Sequence, residues 1–316
     1  MAGFIAVVWG ADRFVYGAAG LASNLGVSRL VIGLTIVGFG TSAPEMLVSG
    51  MAAAAGSREM GIGNAVGSNV INVTLVLGAA ACVRPLSVHS RLILREIPVL
   101  FLVMAVAWTF LWDGVLTRVE GLLLFAGLFG LIFWIATQSR KQGAAELAVL
   151  ERSGEEDGIP DSLPTAAAVA WFSVGFVCLL AGSRALVWGG VGMARALGVS
   201  ELVVGLSLVA LGTSLPELAA SVAAARRGED DIAVGNVIGS NMFNLLGVLA
   251  LPGIIAPGAV DRSVIVRDFP IMVCVTLLLL LMAVNERSHI GRKRGVTLII
   301  VFAGYFVTLF LNPSAP

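Results

Sequence analysis

Two related hexapeptides carry residue types that could bind a cation. GTSAPE occupies Gly40–Glu45 and GTSLPE occupies Gly212–Glu217, each inside a long apolar stretch. A proline within a helix has no N–H group and leaves a carbonyl about one turn earlier without its hydrogen bond. In hydrocarbon that carbonyl is costly unless it lines a cavity or binds something. The sequence therefore predicts helix-breaking prolines at Pro44 and Pro216, with free carbonyl oxygens beside them.

Side chains around each proline add further oxygen atoms. Glu45 lies one helical turn after Thr41, so the carboxylate and the hydroxyl share a helix face. A charge at the bilayer centre costs roughly 2.5–3.5 kcal/mol on insertion scales, and such residues usually face the protein interior and are functional. The same pattern recurs with Thr213 and Glu217. Each hexapeptide is therefore predicted to supply one carboxylate and several neutral oxygens to an interior site.

A second motif, GNxxGSNxxN, follows each hexapeptide. Ser68 and Asn72 are four residues apart and share a helix face, as do Ser240 and Asn244. The glycines within the motif are also four apart, a spacing that lets membrane helices approach closely. We therefore predict helix-packing roles for Gly63, Gly67, Gly235 and Gly239. Asn64 and Asn236 are interpreted as making interhelical hydrogen bonds in preference to supporting ligands.

The donors in these motifs are all hard oxygen atoms, which suits calcium or sodium. Calcium takes about 6–8 oxygens from carboxylates, carbonyls and amides, whereas transition metals favour imidazole or thiolate. Two carboxylates are neutralised by one calcium ion or by two or more sodium ions. A shared site that cannot hold both ions at once binds them exclusively, and exclusive binding combined with alternating access gives antiport.

The composition places these motifs in a membrane. Of the 316 residues, 58% are hydrophobic and only 13% are charged, with a mean hydropathy of +0.95. A bilayer-spanning helix needs about 20 apolar residues. By that criterion the sequence predicts an all-α polytopic membrane protein with ten spans, near 2–22, 30–55, 60–82, 93–112, 119–137, 165–194, 202–225, 231–255, 264–284 and 296–311.

The distribution of positive charge predicts the orientation. If the N-terminus lies outside, thirteen Lys and Arg residues fall in inside loops and five in outside loops. Cytoplasmic loops carry the excess of positive charge in membrane proteins. Both termini are therefore predicted to lie outside a plasma (inner) membrane, with the loop 138–164 in the cytoplasm.

The chain is an internal duplication with a constant offset between its two copies. The segment 26–78 aligns with the segment 198–250 without a gap, and 25 of 53 positions are identical. Five spans separate equivalent points, and five is odd, so the second copy enters from the opposite side of the membrane. This predicts two inverted five-helix repeats, 1–137 and 165–316, joined by a linker at 138–164, with a substrate site where they meet.

These paired motifs resemble the repeats of the calcium/cation antiporter superfamily, in particular its branch of bacterial inner-membrane sodium/calcium exchangers. The resemblance covers nearly the whole chain. It implies a sodium/calcium antiporter whose first and sixth helices slide as a pair across the rest, with backbone carbonyls of Gly38 and Ala210 helping to bind sodium. The implied ion ligands are Thr41, Ser42, Glu45, Ser68, Asn72, Thr213, Ser214, Glu217, Ser240 and Asn244.

The sequence leaves several alternative functions open. The nearest alternative is antiport coupled to protons or to sodium plus potassium, although Asn244 stands where potassium-dependent relatives carry aspartate. An intramembrane hydrolase with a carboxylate pair and an oxygen-lined channel are less favoured. We expect no enzymatic activity, no cofactor and no nucleic-acid partner, and we expect a monomer that has the lipid bilayer, Ca²⁺ and Na⁺ as its partners. Asp12, Arg13 and Arg184 receive no role.

Overall fold

The computed structural model describes residues 2–88, 92–153, 163–196, 210–284 and 289–311. These residues are mostly helical, with four strands of two residues each that the sequence did not predict. In chain order the elements are α1 (Ala2–Asn24), α2 (Arg29–Ala54), α3 (Arg58–Val83), β1 (Leu86–Ser87), α4 (Leu92–Leu111), β2 (Val115–Leu116), α5 (Arg118–Ser153), α6 (Thr165–Ala196), α7 (Ala210–Thr213), α8 (Leu215–Arg227), α9 (Asp230–Ile255), β3 (Gly258–Ala259), α10 (Val264–Val284), β4 (His289–Ile290) and α11 (Arg292–Leu311).

Eight helices of the described part are long and apolar enough to cross a membrane. They lie in α1 to α6, α9 and α10, and they correspond to eight of the ten predicted spans. The predicted span 202–225 begins outside the described residues and continues through α7 and α8, while the span 296–311 falls within the 20-residue helix α11. The protein is therefore a multi-pass helical membrane protein.

Helices α1 and α6 pack closely and antiparallel, through glycines that recur at every seventh position. A Cβ atom added at Gly10 would lie 2.6 Å from the Leu179 main-chain nitrogen, and one at Gly182 would lie 2.8 Å from that of Val7. Gly17, further along α1, lies against Ala168 and Phe172, nearer the start of α6. Because no side chain intervenes, the two backbones touch along most of the length of α1.

Five helical turns of the described residues are widened to π geometry. They are Gly33–Val37 in α2, Asn72–Val76 in α3, Leu92–Glu96 at the start of α4, Asn244–Val248 in α9 and Val264–Asp268 at the start of α10. The turns in α3 and α9 occupy equivalent positions of the two sequence copies, and so do those in α4 and α10. A π turn inserts one residue and locally rearranges the backbone hydrogen bonds, often at functional sites, and those in α3 and α9 begin at predicted ligands.

In the described part of the chain, two short antiparallel ladders connect the two sequence copies. In one, Leu86 of β1 pairs with Ile290 of β4; in the other, Leu116 of β2 pairs with Gly258 of β3. Residues 86 and 258 are themselves equivalent in the duplication. Each ladder therefore joins a loop of the first copy to a loop of the second and helps to hold the two copies together.

One expectation about local structure needs correction. Pro44 does not break its helix, because Gly38–Ala54 is a continuous α-helix. A membrane helix tolerates a proline where neighbouring groups satisfy the freed backbone carbonyl. The equivalent segment is interrupted: Ser214 is not helical, and Pro216 lies in the first turn of α8. Separately, α5 continues to Ser153, so the first part of the predicted linker 138–164 is helical.

Candidate functional site

The predicted ligands converge in the centre of the helix bundle. They come from α2, α3, α9 and the α7–α8 junction, and nine of the ten side-chain ligands are no more than 2% exposed. The tenth, Thr213, is 9% exposed. Residues that are distant in the sequence are thus brought into one polar cluster within an apolar protein.

Helices α2 and α9 meet through hydroxyl and amide groups. The Thr41 Oγ1 atom lies 3.0 Å from the Asn236 Oδ1 atom and 3.3 Å from the Ser240 Oγ atom. The Ser240 hydroxyl is also 3.3 Å from the Gly38 carbonyl oxygen, and so is that of Thr41. The Gly38 carbonyl is therefore part of the cluster, where hydroxyl groups of both sequence copies donate to it.

Two equivalent asparagines hold the main chain at the two glutamates. Asn64 donates from Nδ2 to the Glu45 carbonyl oxygen at 3.4 Å, and Asn236 donates to the Glu217 carbonyl oxygen at 3.3 Å. Asn64 also accepts a hydrogen bond from Thr213 of the other copy at 3.4 Å. These hydrogen bonds are interhelical, as the sequence favoured, and they hold the main chain at both glutamates.

The ten predicted ligand residues contain seven buried oxygen atoms that have no hydrogen-bond partner in the structure. The Ser42 hydroxyl donates to Glu217 Oε1 at 3.3 Å, which leaves the second oxygen of that carboxylate without a donor. The complete set comprises both carboxylate oxygens of Glu45, Oε2 of Glu217, the hydroxyl oxygens of Ser68 and Ser214, and the amide oxygens of Asn72 and Asn244. The neighbouring Asn69 Oδ1 atom is likewise buried without a partner, but Asn69 was not predicted as a ligand.

Such a set of oxygens is suited to a cation. Leaving a buried polar group without a partner costs about 1–3 kcal/mol, and a bound cation removes that cost for every oxygen it touches. Carboxylate and neutral oxygens are the ligand types that calcium takes. The described residues contain no group of three or more His, Cys, Asp or Glu side chains placed to hold a metal ion. The carboxylates of Glu45 and Glu217 and the neutral oxygens around them are the groups that would hold an ion here.

A second pair of asparagines, which the sequence analysis did not single out, joins α3 to α9. Asn69 donates to the Asn241 carbonyl oxygen at 3.2 Å, and Asn241 donates back to the Asn69 carbonyl oxygen at 3.4 Å. Asn241 Oδ1 also accepts from the Asn72 amide at 3.1 Å, which leaves the Asn72 Oδ1 atom without a donor. The signal was available, since Asn69 and Asn241 are identical residues at equivalent positions of the duplication.

The structure describes close helix contacts for some of the remaining predicted residues and not for others. Gly235 and Gly239 face α2 closely: a Cβ at Gly235 would lie 2.9 Å from the Leu30 carbonyl oxygen, and one at Gly239 would collide with Leu34. Around Gly63 and Gly67 no described atom lies within 4 Å of an added Cβ, and the segment equivalent to Leu30–Leu34 lies outside the described residues. Ala210 begins α7, at the edge of a described range.

The comparisons with known proteins cover the chain from end to end. A family model described as "Sodium/calcium exchanger protein" matches residues 1–138 and 167–311. The provisionally named antiporter CaxA of Alkalimonas amylolytica is 45% identical over 312 residues, which cover 98% of this chain and 97% of that one. The inner membrane protein YrbG of Escherichia coli K12 is 40% identical over 320 residues, covering 98% and 96%. The solved structure of the sodium-calcium exchanger NCX_Mj superimposes with a TM-score of 0.82 at 30% identity, covering 98% and 96%.

Proposed function

The chain belongs to the sodium/calcium exchanger protein family, and on that premise we propose that it moves calcium ions across the plasma membrane against a sodium gradient. The single observation that carries this proposal is the group of seven buried oxygen atoms without donors around Glu45 and Glu217. Hydrolysis by a carboxylate pair would need groups that activate water, whereas the neighbouring hydroxyls and amides supply oxygens for a cation.

The charge and size of the site favour exchange over simultaneous binding. When ionised, Glu45 and Glu217 carry two negative charges, which one calcium ion or two or more sodium ions neutralise. Calcium would draw on both carboxylates together with the oxygens of Ser68, Asn72 and the equivalent residues, since its shell is large and flexible. Sodium ions would use the same oxygens in smaller sets, with the carbonyls of Gly38 and Ala210. Occupancy by one ion type therefore excludes the other.

The fold that we propose for this function has ten membrane spans in two inverted repeats. Two observations support the inversion. The helices α1 and α6 belong to equivalent parts of the two copies and run antiparallel, as inversion requires. Asn69 and Asn241, which are also equivalent, exchange reciprocal hydrogen bonds, as expected next to a local two-fold axis. Alternating access would follow from sliding of the α1–α6 pair across the remaining helices.

We also propose the orientation and the membrane. The excess of arginine and lysine in alternate loops supports outside locations for both termini. The similarity to YrbG, which is named as an inner membrane protein, supports a bacterial plasma membrane. Calcium and sodium are then the substrates, and the protein acts as a monomer without a resident cofactor.

The test is radiolabelled calcium uptake into proteoliposomes containing the full chain. Uptake is measured in turn with an outward sodium, proton or potassium gradient, for the wild type and for Glu45→Gln and Glu217→Gln. Glu59→Gln is the matched control, because Glu59 is an exposed glutamate next to the α2–α3 turn. We expect uptake only with the sodium gradient, abolished in both site variants and unchanged in the control.

Other outcomes separate the parts of this proposal. Uptake driven by protons alone, and lost in the two site variants, would keep the site and replace the coupling ion. A requirement for potassium together with sodium would do the same. Calcium movement that needs no gradient of a second ion and does not saturate would indicate a channel. An absence of calcium movement under every gradient would reject calcium as the substrate.

A further inference from the structure

A groove on the membrane-facing side of the protein lies between α4 and α5. Its volume is about 400 Å³, and carbon atoms form nearly all of its wall. The floor consists of buried side chains such as Val103, Leu124 and Leu131, while the rims at Leu102 and Leu123 are more than half exposed. The remaining lining residues are Val99, Val106, Gly127, Gly130, Trp134 and Leu246.

The guanidinium group of Arg95 places a positive charge at one end of this groove. The guanidinium carbon of Arg95 lies 4.6 Å from the centre of the Trp134 ring, and Trp134 lines the groove. No acidic side chain among the described residues forms an ion pair with Arg95, which is half-buried near the start of α4. The ring holds the guanidinium in place by a cation–π contact, but it does not neutralise the charge.

The equivalent position in the second copy shows that this arrangement is not a general feature of the fold. Arg267 is the counterpart of Arg95 in the duplication, and its Nε and Nη2 atoms contact the two carboxylate oxygens of Asp268 at 2.8 and 3.0 Å. That arginine is therefore neutralised by its neighbour in the sequence. The residue equivalent to Trp134 is Phe306. Only the first copy combines an apolar groove with an arginine that has no acidic partner among the described residues.

We propose that the α4–α5 groove binds an anionic phospholipid, with an acyl chain along the groove and the phosphate group at Arg95. The apolar wall fits a hydrocarbon chain and excludes a free phosphate ion as the preferred ligand. Basic pockets between membrane helices attract anionic headgroups, and the guanidinium presents several N–H donors to a phosphate group. In the orientation proposed above, Arg95 and Trp134 lie at the cytoplasmic ends of their helices, so the lipid belongs to the inner leaflet.

The experiment measures lipid retention by native mass spectrometry of the purified full chain. The protein is mixed with equal amounts of dioleoylphosphatidylglycerol and dioleoylphosphatidylcholine. The fraction of protein that carries one phosphatidylglycerol molecule is compared with the fraction that carries one phosphatidylcholine molecule. We expect the anionic lipid to be retained roughly fivefold more, which is the preference that one arginine near the membrane surface provides.

Three variants test whether Arg95 and the groove cause the preference for the anionic lipid. Arg95→Gln should reduce the preference to parity while retention of the zwitterionic lipid is unchanged. Gly130→Leu should lower retention of both lipids, since no described atom lies within 4 Å of an added Cβ and the longer side chain would enter the groove. Arg262→Gln, at an exposed arginine outside the groove, is the matched control and should keep the wild-type preference.

Equal retention of the two lipids by the wild type would overturn the proposal. So would an anionic preference in Arg95→Gln as strong as that of the wild type. Arg95→Gln leaves the groove intact, so the test does not depend on the folding of Gly130→Leu. Because the readout is bound lipid and not ion flux, the result is independent of the proposed transport function.

Discussion

At the scale of single residues, the asparagines of the polar cluster divide into two kinds. Asn64 and Asn236 hold the main chain of the two glutamates, whereas Asn69 and Asn241 join α3 to α9 by reciprocal bonds to each other's carbonyl oxygens. Asn241 Oδ1 also accepts from the Asn72 amide, whereas the Asn69 amide also donates to the Met272 sulfur at 3.3 Å. Asn241 therefore orients a predicted ligand without being one.

The contact between Asn241 and Asn72 predicts that alanine substitutions at Asn241 and at Asn69 differ in their effect on calcium transport. Asn241→Ala should raise the KM for calcium by roughly three- to tenfold, because the Asn72 amide loses a hydrogen bond of about 1 kcal/mol that keeps its oxygen towards the site. Calcium uptake into proteoliposomes measures the effect.

Asn69→Ala is the matched control. Both variants remove the bond to the opposite carbonyl and should each lower the free energy of unfolding by about 1–3 kcal/mol. Only Asn241→Ala should change the KM. Equal KM changes in the two variants would show that the contact with Asn72 has no separate role.

At the scale of helices, the α1–α6 pair depends on the absence of side chains at its contact. In Gly17→Ala the new Cβ atom would lie 2.7 Å from the Ala168 carbonyl oxygen, so one backbone must move. Overpacking of this kind costs about 1–3 kcal/mol. We expect a lower temperature of thermal unfolding in detergent.

The control for this variant is Gly304→Ala in α11. Gly304 is exposed, and no described atom lies within 4 Å of an added Cβ. Alanine favours a helix over glycine by about 1 kcal/mol, so this variant should unfold at the wild-type temperature or above it. A similar loss in both variants would mean that the close contact at Gly17 is not the cause.

A second contact connects α1 to α8, the helix that begins next to the site and carries Glu217. The guanidinium of Arg227 forms a bidentate pair with the Asp12 carboxylate, at 2.7 and 2.6 Å, and lies 5.0 Å from the centre of the Tyr16 ring. No role for Asp12 could be predicted from the sequence, because its partner Arg227 is 215 residues away.

The side chains of Asp12 and Arg227 are 41% and 29% exposed at the protein surface, and an ion pair that water reaches is weak. A double-mutant cycle with Asp12→Asn and Arg227→Gln, measured by chemical denaturation, should give a coupling energy of roughly 0.2–1 kcal/mol. The coupling should fall as salt is added. A coupling well above this range, insensitive to salt, would mean that solvent does not screen the pair.

At the scale of the whole molecule, the proposed inversion places equivalent turns on opposite sides of the membrane. Ala54 and Arg226 are counterparts in the duplication, and both are exposed at the ends of equivalent helices. After replacement of the three native cysteines, Ala54→Cys should react with a membrane-impermeant maleimide in right-side-out vesicles. Arg226→Cys should react only after the vesicles are permeabilised.

The two labelling positions control each other, since both are exposed ends of helices and differ only in the predicted side. Labelling of both from the same side would contradict the inverted repeats. Labelling of Arg226→Cys from outside and of Ala54→Cys from inside would keep the inversion and reverse the proposed orientation.

Local sequence patterns predicted most of the long apolar helices and a set of polar residues that the structure buries; the role of those residues as ion ligands stays a prediction. Apolar length determines whether a helix spans the bilayer, and a carboxylate within such a helix must face the interior. Because the motifs occur twice at one offset, Glu45 and Glu217 could be assigned to one site before their positions were known. Eight of the ten predicted spans correspond to long apolar helices of the described part.

Only the tertiary structure decided how those residues are held. The role of Asn241 depends on Asn72, which is 169 residues away, and no local pattern reports such a hydrogen bond. Helix α2 contains a π turn at Gly33–Val37 and stays helical through Pro44, and hydropathy reports neither feature. Arg95 and Arg267 have matching sequence contexts, yet one lies on Trp134 and the other pairs with Asp268. A side chain's charge is encoded locally, whereas its partners are set by packing between helices that are distant in the chain.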